Sequence, residues 1–290
     1  MRLGFSLDPR LGLDRGDELA LVKRGGELGY ESAWTPATAD EEAFDRCRRW
    51  YEASGLPVGI AVVPASGQPP AVYAERAARL HEDTGGNFFF GVGSGQVAHA
   101  GAVMPDYVRR LRELLPDGPP IYLAALGPLM LKLAGEAAEG VSLNWCSAEA
   151  VAWSRERVEA AADGARRSAP VITMYIRTCV DPDAQAARDT LGQAALMYAL
   201  GPPAYRRHYE RMGFAEELEV LDKGEARPSA AFLAASGAAG SPGQVRSQFE
   251  AIAAGGLDVA IVRVLSPRAG DSEPVVRALE ECAPEARTED

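Results

Sequence analysis

The sequence predicts an α/β fold of one particular kind, a closed (β/α)8 TIM barrel, and three observations point there. Short apolar runs rich in β-branched and aromatic residues recur eight times along the chain. Amphipathic stretches too long for hairpins separate them, so successive strands are expected to be parallel with right-handed crossovers. With 290 residues, 47% of them hydrophobic, the chain can bury one continuous core of barrel size, and a single domain over 1–290 is expected.

The eight strands are predicted at 3–7, 32–34, 58–63, 87–92, 121–124, 141–144, 171–180 and 259–265. Between them, Tyr73, Ala77 and Leu80 share one helical face, as do Tyr107, Val108, Leu111, Leu114 and Leu115 in a helix predicted over 106–115. Two irregularities stand out. The loop after strand four is shortened, with little room between Gly95 and Pro105, whereas about 80 residues separate strands seven and eight. That interval reads as a helical insertion, with helices over 183–200 and 203–212, a break at 224–228, and a loose loop from Ala230 until a helix opens near 241. On the C-terminal side of a barrel, an insertion of this length is expected to help cover the mouth.

An open doubly wound sheet is the competing topology, because Gly93, Gly95 and Ala98 fall on the G-x-G-x-x-[G/A] spacing of dinucleotide-binding turns. That fingerprint belongs after the first strand, with an acidic residue about 20 positions later at the end of the second. Here the glycines follow strand four, and the corresponding residue is Glu113, inside a helical pattern. Gly91 and Gly93 instead mark a backbone that runs close to something, and Ser94 offers a hydroxyl at the strand end where barrels carry their sites. Gly127 and Pro128 lie between strand five and a helix, with Pro128 suited to the first helical position. Free N–H groups there would suit a phosphate or carboxylate, although spacing alone favours a plain helix start.

Composition excludes several classes. A net charge of −11 disfavours nucleic acid as a partner. Cys47, Cys146, Cys179 and Cys282 are scattered without a C-x-x-C pair and are expected as free thiols, with no metal site. No apolar run reaches the length of a membrane span, and the N-terminal MRLGFSLDPRLG lacks a secretory pattern, so no membrane association and a cytoplasmic location are expected. Of three histidines, His81 and His208 lie in helical stretches. His99 follows a strand end, as a candidate proton carrier or as an exposed loop residue. Arg177 and Arg263 interrupt apolar strands near their C-terminal ends, where an arginine either pairs with a buried acid or faces an anionic ligand. Arg177 is the one assigned to the mouth, among the cofactor-binding residues.

The run YLAALGPLMLKLAGEAAEGVSLNW at 122–145 resembles the strand-helix-strand segment of the luciferase-like monooxygenase superfamily, above all its branch using the deazaflavin coenzyme F-420. ELGYESAW at 27–34, the stretch from VGIAVVP to GVGSG at 58–95, and SPGQVRSQFEAIAAGGLDVAIV at 241–262 agree in order, so the resemblance covers most of the chain outside the long insertion. It implies a barrel of the bacterial luciferase type, generally homodimeric, with a flavin or deazaflavin across its C-terminal mouth. By that resemblance Leu126, Gly127 and Pro128 meet the cofactor phosphate, Ser94 and Gly95 approach its ring or side chain, and Asn144 and Trp145 line the same pocket. It also implies a non-proline cis peptide at Ala61–Val62, in a bulge after strand three against which the ring leans.

The implied activity is hydride transfer between coenzyme F-420 and a small organic substrate. An FMN-dependent monooxygenase using dioxygen is the alternative, and a flavin-binding or ligand-binding barrel that has lost catalysis is a third reading. Two departures bear on these readings. Thr35, Pro36 and Ala37 stand where related enzymes often carry an acidic residue and a histidine, and the loop after strand four is short where relatives commonly have an insertion.

Overall fold

The computed structural model describes residues 1–37, 42–95, 97, 99–224 and 226–284. Strand and helix alternate through the first half: β1 (Arg2–Ser6), α1 (Arg15–Glu27), β2 (Ser32–Thr35), α2 (Glu42–Ser54), β3 (Val58–Pro64), α3 (Pro70–Asp83), β4 (Phe88–Gly93), α4 (Ala100–Leu114), β5 (Ile121–Ala124), α5 (Pro128–Ala137), β6 (Gly140–Asn144) and α6 (Ala148–Gly164). After β7 (Val171–Val180) comes the insertion, with α7 (Ala184–Ala199), α8 (Pro203–Tyr209), α9 (Ala215–Asp222) and α10 (Ala230–Ser236). β8 (Gly237–Gly240), α11 (Gln244–Ala253), β9 (Val259–Val264) and α12 (Glu273–Glu281) complete the order. Side-chain caps start several helices: Asp14 accepts from the N–H of Asp17, Ser147 from that of Ala150, and Asp183 from those of Gln185 and Ala186.

β1 pairs in parallel with β2 and with β9, each strand from β2 to β6 pairs with the next, and β7 lies between β6 and β9. Eight parallel strands therefore close into a TIM barrel, with β9 in the place of the eighth barrel strand. β8 lies outside the ring order. It pairs with Arg177–Val180 of β7, above the point where β6 ends at Asn144 opposite Tyr175.

Two local expectations are corrected. The stretch after Ala230 is not a loose loop but α10 followed by β8. Glycine and alanine disguised that strand, yet they are what lets it lie so close, since a Cβ on Gly237 would sit 2.4 Å from the Arg177 carbonyl oxygen. Likewise α4 begins at Ala100 rather than 106 and carries Pro105 inside it. Proline removes one backbone bond near the helix start, and the buried face of Met104, Tyr107, Val108 and Leu111 holds the helix across that gap. The connection after β4 is accordingly even shorter than the sequence indicates.

Inside the ring, large rings pack against absent side chains. Trp34 stacks on Phe89 at 5.3 Å, and both meet Tyr122 edge-on, at 5.8 and 5.6 Å. A Cβ on Gly59 would lie 2.3 Å from the Trp34 ring, and one on Gly140 would lie 2.2 Å from that of Tyr122. Such pairing of large with small side chains is how a barrel interior fills at protein density.

Above this layer β3 bulges. Ile60 pairs with Phe90 but Val63 with Val92, so one extra residue is accommodated between them, and the Ala61–Val62 peptide is cis. A Cβ on Gly91 would lie 2.1 Å from the Ile60 carbonyl oxygen, and one on Gly93 would lie 2.7 Å from Val62 and 3.1 Å from Ala124. What these glycines accommodate is therefore the bulge of the neighbouring strand. Among the described residues no helix is long and apolar enough to cross a membrane.

Gly91→Ala drives a methyl into backbone that cannot rotate away, and is expected to cost about 2 kcal/mol or more in urea melts. Gly164→Ala, at an open position in the last turn of α6, is expected to gain about 0.5 to 1 kcal/mol. Indistinguishable midpoints for the two variants would contradict the close-approach account.

Candidate functional site

The C-terminal ends of β3 to β6 carry small or short side chains. Ala61, Val62, Ala124 and Asn144 are each half-buried, and Gly93 sits between Val62 and Ala124. They stand on four adjacent strands, at the end where barrels carry their sites. Beyond β5 the chain turns through Leu126 and Gly127 into α5, with Pro128 at the first helical position as its sequence suggests. No side chain caps this helix, and a Cβ on Gly127 would meet nothing within 4 Å. Arg211 Nη2 donates to the Leu126 carbonyl at 2.6 Å, which stations a cation beside the positive end of the helix dipole.

The other side of the mouth is organised by Trp145, which follows β6 in a left-handed conformation with φ 56° and is almost fully buried. Bulky residues rarely adopt this conformation, and its neighbours hold it. His208 Nε2 donates to the Trp145 carbonyl at 2.8 Å, Tyr198 packs on the indole at 5.2 Å, and the Arg177 guanidinium lies 4.2 Å over it. Asn144 is fixed at both ends, accepting from Arg177 Nη1 and donating to the Tyr205 hydroxyl at 2.8 Å.

Two buried arginines share this region but differ in their partners. Arg263, 2% exposed, donates to Ser6 Oγ at 2.7 Å and pairs with the Asp8 carboxylate. Burial by itself would raise the Asp8 carboxyl, but Arg263 and Arg10 outweigh it and hold it below the ordinary value. Arg177, 4% exposed, has no carboxylate partner among the described residues, and burial with the nearby Arg263 charge pushes it down to about 10. Tyr198 responds in the opposite sense. Burial opposes its ionisation, yet Arg177 and Arg10 bring its phenol below the usual value. A cavity of about 150 Å³ opens among Asp8, Arg10, Trp145, Arg177, Tyr198 and Arg263.

The structure thus brings Asn144, Trp145 and Arg177 into direct contact, and sets Ala61 and Val62 beside β4. Ser94 is half-buried, and the left-handed Gly95 turns so tightly that a Cβ would lie 2.4 Å from Ser66 Oγ. His99 is exposed, precedes α4 with φ 53°, makes no side-chain cap hydrogen bond and does not line the cavity. Ala98, the last position of the glycine pattern, falls outside the described residues, as do 38–41 of WTPATADEE. Thr35, where relatives often carry an acid, is buried. It donates to the Pro36 carbonyl and accepts from Arg46, which pairs with Glu18.

Asp8, Arg10, Tyr198, Tyr205, His208 and Arg211 were not anticipated. Asp8 and Arg10 follow the C-terminal end of β1, so the barrel rule alone could have singled them out. The other four lie in the insertion, where nothing local separates them from ordinary helix surface. Cys146 Sγ lies 3.5 Å from His208 Nε2, but burial pushes the thiol up to about 12 and the imidazole down to about 4. The pair is neutral and structural, not a thiolate nucleophile.

The closed ring of eight parallel strands with flanking helices, with an uncapped helix beside β5 and buried arginines at its C-terminal mouth, is a (β/α)8 TIM barrel. The family model described as luciferase-like monooxygenase matches residues 114–258, half of the chain, and the protein belongs to that family. A curated relative, the 5,10-methylenetetrahydromethanopterin reductase of Methanopyrus kandleri, is 28% identical over 167 residues, which cover 54% of this chain and 47% of that relative. Among solved structures, the coenzyme F-420-dependent tetrahydromethanopterin reductase of the same organism superposes with a TM-score of 0.72 at 19% identity, over 97% of both chains. An F-420-dependent secondary alcohol dehydrogenase, in complex with an F-420–acetone adduct, reaches 0.76 at 14%, covering 98% of this chain and 99% of that one. The FMN-bound oxygenating constituent of 3,6-diketocamphane monooxygenase from Pseudomonas putida reaches 0.64 at 16%, covering 98% and 97%. The family is one of oxidoreductases and monooxygenases.

His208 makes the site acid-sensitive. Its folded pKa of about 4 lies below the ordinary 6.5, so the unfolded chain binds a proton that the folded protein refuses. The stabilisation is complete above about pH 6.5 and is lost as pH falls towards about 4. Between about pH 7.5 and pH 5 roughly 2 kcal/mol of stability is expected to disappear. Urea melts at the two pH values measure it, and a His208→Gln variant with the same slope as the wild type would exclude this residue as the source.

Proposed function

We propose that the protein is an oxidoreductase that binds the deazaflavin coenzyme F-420 across its barrel mouth and transfers hydride between it and a small organic substrate. The observation that carries this reading is the run of small or short side chains on adjacent strands, from the Ala61–Val62 bulge past Gly93 and Ala124, that leads to an uncapped helix start with open space at Gly127. Small side chains over four strands suit a flat ring, and an uncapped helix N-terminus suits a phosphate.

In this reading Ala61 and Val62 back the ring, and Ser94 and Gly95 bound it on the β4 side. The backbone of Leu126, Gly127 and Pro128 receives the phosphate, with Arg211 adding a charge. Asn144 and Trp145 close the far wall, while the insertion helices limit access of water. When bound, the deazaflavin supplies a two-electron donor or acceptor, and the protein fixes which face of it meets the substrate. His99 on the rim is the candidate proton carrier. A homodimer working in the cytoplasm completes the reading.

FMN carries the same phosphate and a similar tricyclic ring, and the family's description as monooxygenases together with the FMN-bound neighbour supports a dioxygen-using alternative. A flavin-binding or ligand-binding barrel without catalysis is the third reading, motivated by Thr35, Pro36 and Ala37 in place of an acid and a histidine and by the short connection after β4.

Titration of the protein with F-420 and with FMN, followed by absorbance and tryptophan fluorescence, separates these readings. F-420 is expected to bind the more tightly. Binding of FMN alone would overturn the F-420 assignment, and binding of neither would sink the cofactor reading. Gly127→Asp places a carboxylate in open space at the N-cap of α5, and should leave the melting temperature unchanged or raise it slightly while weakening cofactor binding about tenfold or more. An unaltered affinity would remove the phosphate from this turn.

A further inference from the structure

The guanidinium of Arg177 has an unusual set of partners for a buried cation. Its Nη1 is committed to Asn144 Oδ1, with the Tyr175 carbonyl further off at 3.4 Å. Aromatic faces surround the rest, with Trp145 at 4.2 Å and Tyr175 and Tyr198 each at 5.7 Å. Among the described residues Nε and Nη2 have no acceptor, and neither is among the buried polar atoms sealed from solvent. Nε and Nη2 form the two-donor fork of an arginine, the edge that grips a carboxylate with two parallel hydrogen bonds.

That fork belongs to a residue lining the cavity of about 150 Å³. Three arginines line this space against one carboxylate, and Asp8 is already shared by Arg263 and Arg10. At about 30 Å³ for each water-sized group, the cavity takes roughly five such groups, the bulk of a carboxylate on a short carbon chain.

We propose that this cavity is the subsite for the acid group of the substrate, so that the protein acts on a small organic carboxylate held bidentately by Arg177. Arg10, at the exposed edge of the cavity, supplies a second charge. Arg177 is thereby assigned to the substrate and not to the cofactor. Burying a guanidinium without a counter-ion is costly, and a carboxylate entering this space offsets that cost while it orients the substrate from one end. That the bound acid is a substrate rests on the oxidoreductase reading, whereas the subsite itself does not.

The test uses the full-length protein without cofactor, with propionate, butyrate, butyramide and inorganic phosphate as probes, followed by tryptophan fluorescence and calorimetry. Butyrate is expected to bind saturably, with butyramide at least about tenfold weaker because it lacks the charge. Arg177→Met is expected to weaken butyrate at least about tenfold, and Arg177→Lys, which keeps the charge and loses the fork, by an intermediate factor. Arg10→Ala, at a largely exposed side chain, keeps the test alive if the buried variants do not fold, and should weaken butyrate about threefold. Absence of saturable carboxylate binding, equal binding of butyramide, preference for phosphate, or unchanged affinity in Arg177→Met would each overturn the proposal. F-420 affinity is measured on Arg10→Ala, whose side chain is largely exposed, and is expected to stay within about threefold of wild type. Loss of F-420 binding from the wild type with butyrate binding intact would defeat the cofactor reading alone.

Discussion

The barrel closes around three aromatic rings, and the positions above them follow from that packing. Trp34, Phe89 and Tyr122 fill the ring interior only because Gly59 and Gly140 present no side chains to them. Close packing of this kind has few alternatives, since a single added methyl has nowhere to go. It fixes β3 to β6 laterally near their N-terminal ends, so that each strand end reaches the mouth at a defined place.

Above the aromatic layer the interior changes character from large and apolar to small and polar. On the β3 to β5 side, the bulge lies close against the glycines opposite it, and the strand ends carry short side chains. On the β7 and β9 side, Arg177 and Arg263 are held by aromatic faces and hydrogen bonds, with Asp8 compensating only one of them directly. The insertion contributes the walls: Tyr198, Tyr205 and His208 reach across to Arg177, Asn144 and Trp145. A mouth so divided sets short side chains on one side beside two buried guanidiniums on the other, of which Arg177 has no carboxylate partner among the described residues.

Much of the fold was legible. Eight apolar runs separated by amphipathic helices lie close to the strands observed, because burial on both faces of a parallel strand leaves a hydrophobic run that local reading detects. The ninth strand escaped for the converse reason. Gly237 to Gly240 has almost no side chain to show a pattern, and it pairs because nothing else could lie so near the Arg177 backbone. The start of α4 escaped because Pro105 reads as a boundary locally, while the buried face of the helix outweighs one lost backbone bond.

At the site, the sequence by itself determined which strand ends carry small residues, where a Gly-Pro pair opens a helix, and that Arg177 and Arg263 interrupt apolar strands. It could not decide which arginine is compensated. That depended on Asp8, more than 250 residues from Arg263 in the chain, and on insertion helices whose pattern matches any amphipathic surface. Likewise the glycines of GVGSG announced a close approach without naming what approaches, and only the tertiary structure supplied the bulge of β3. Local pattern records what a residue needs, such as burial, space or a turn. The partner that meets the need is set by chain closure, which brings distant segments together at distances no spacing rule encodes.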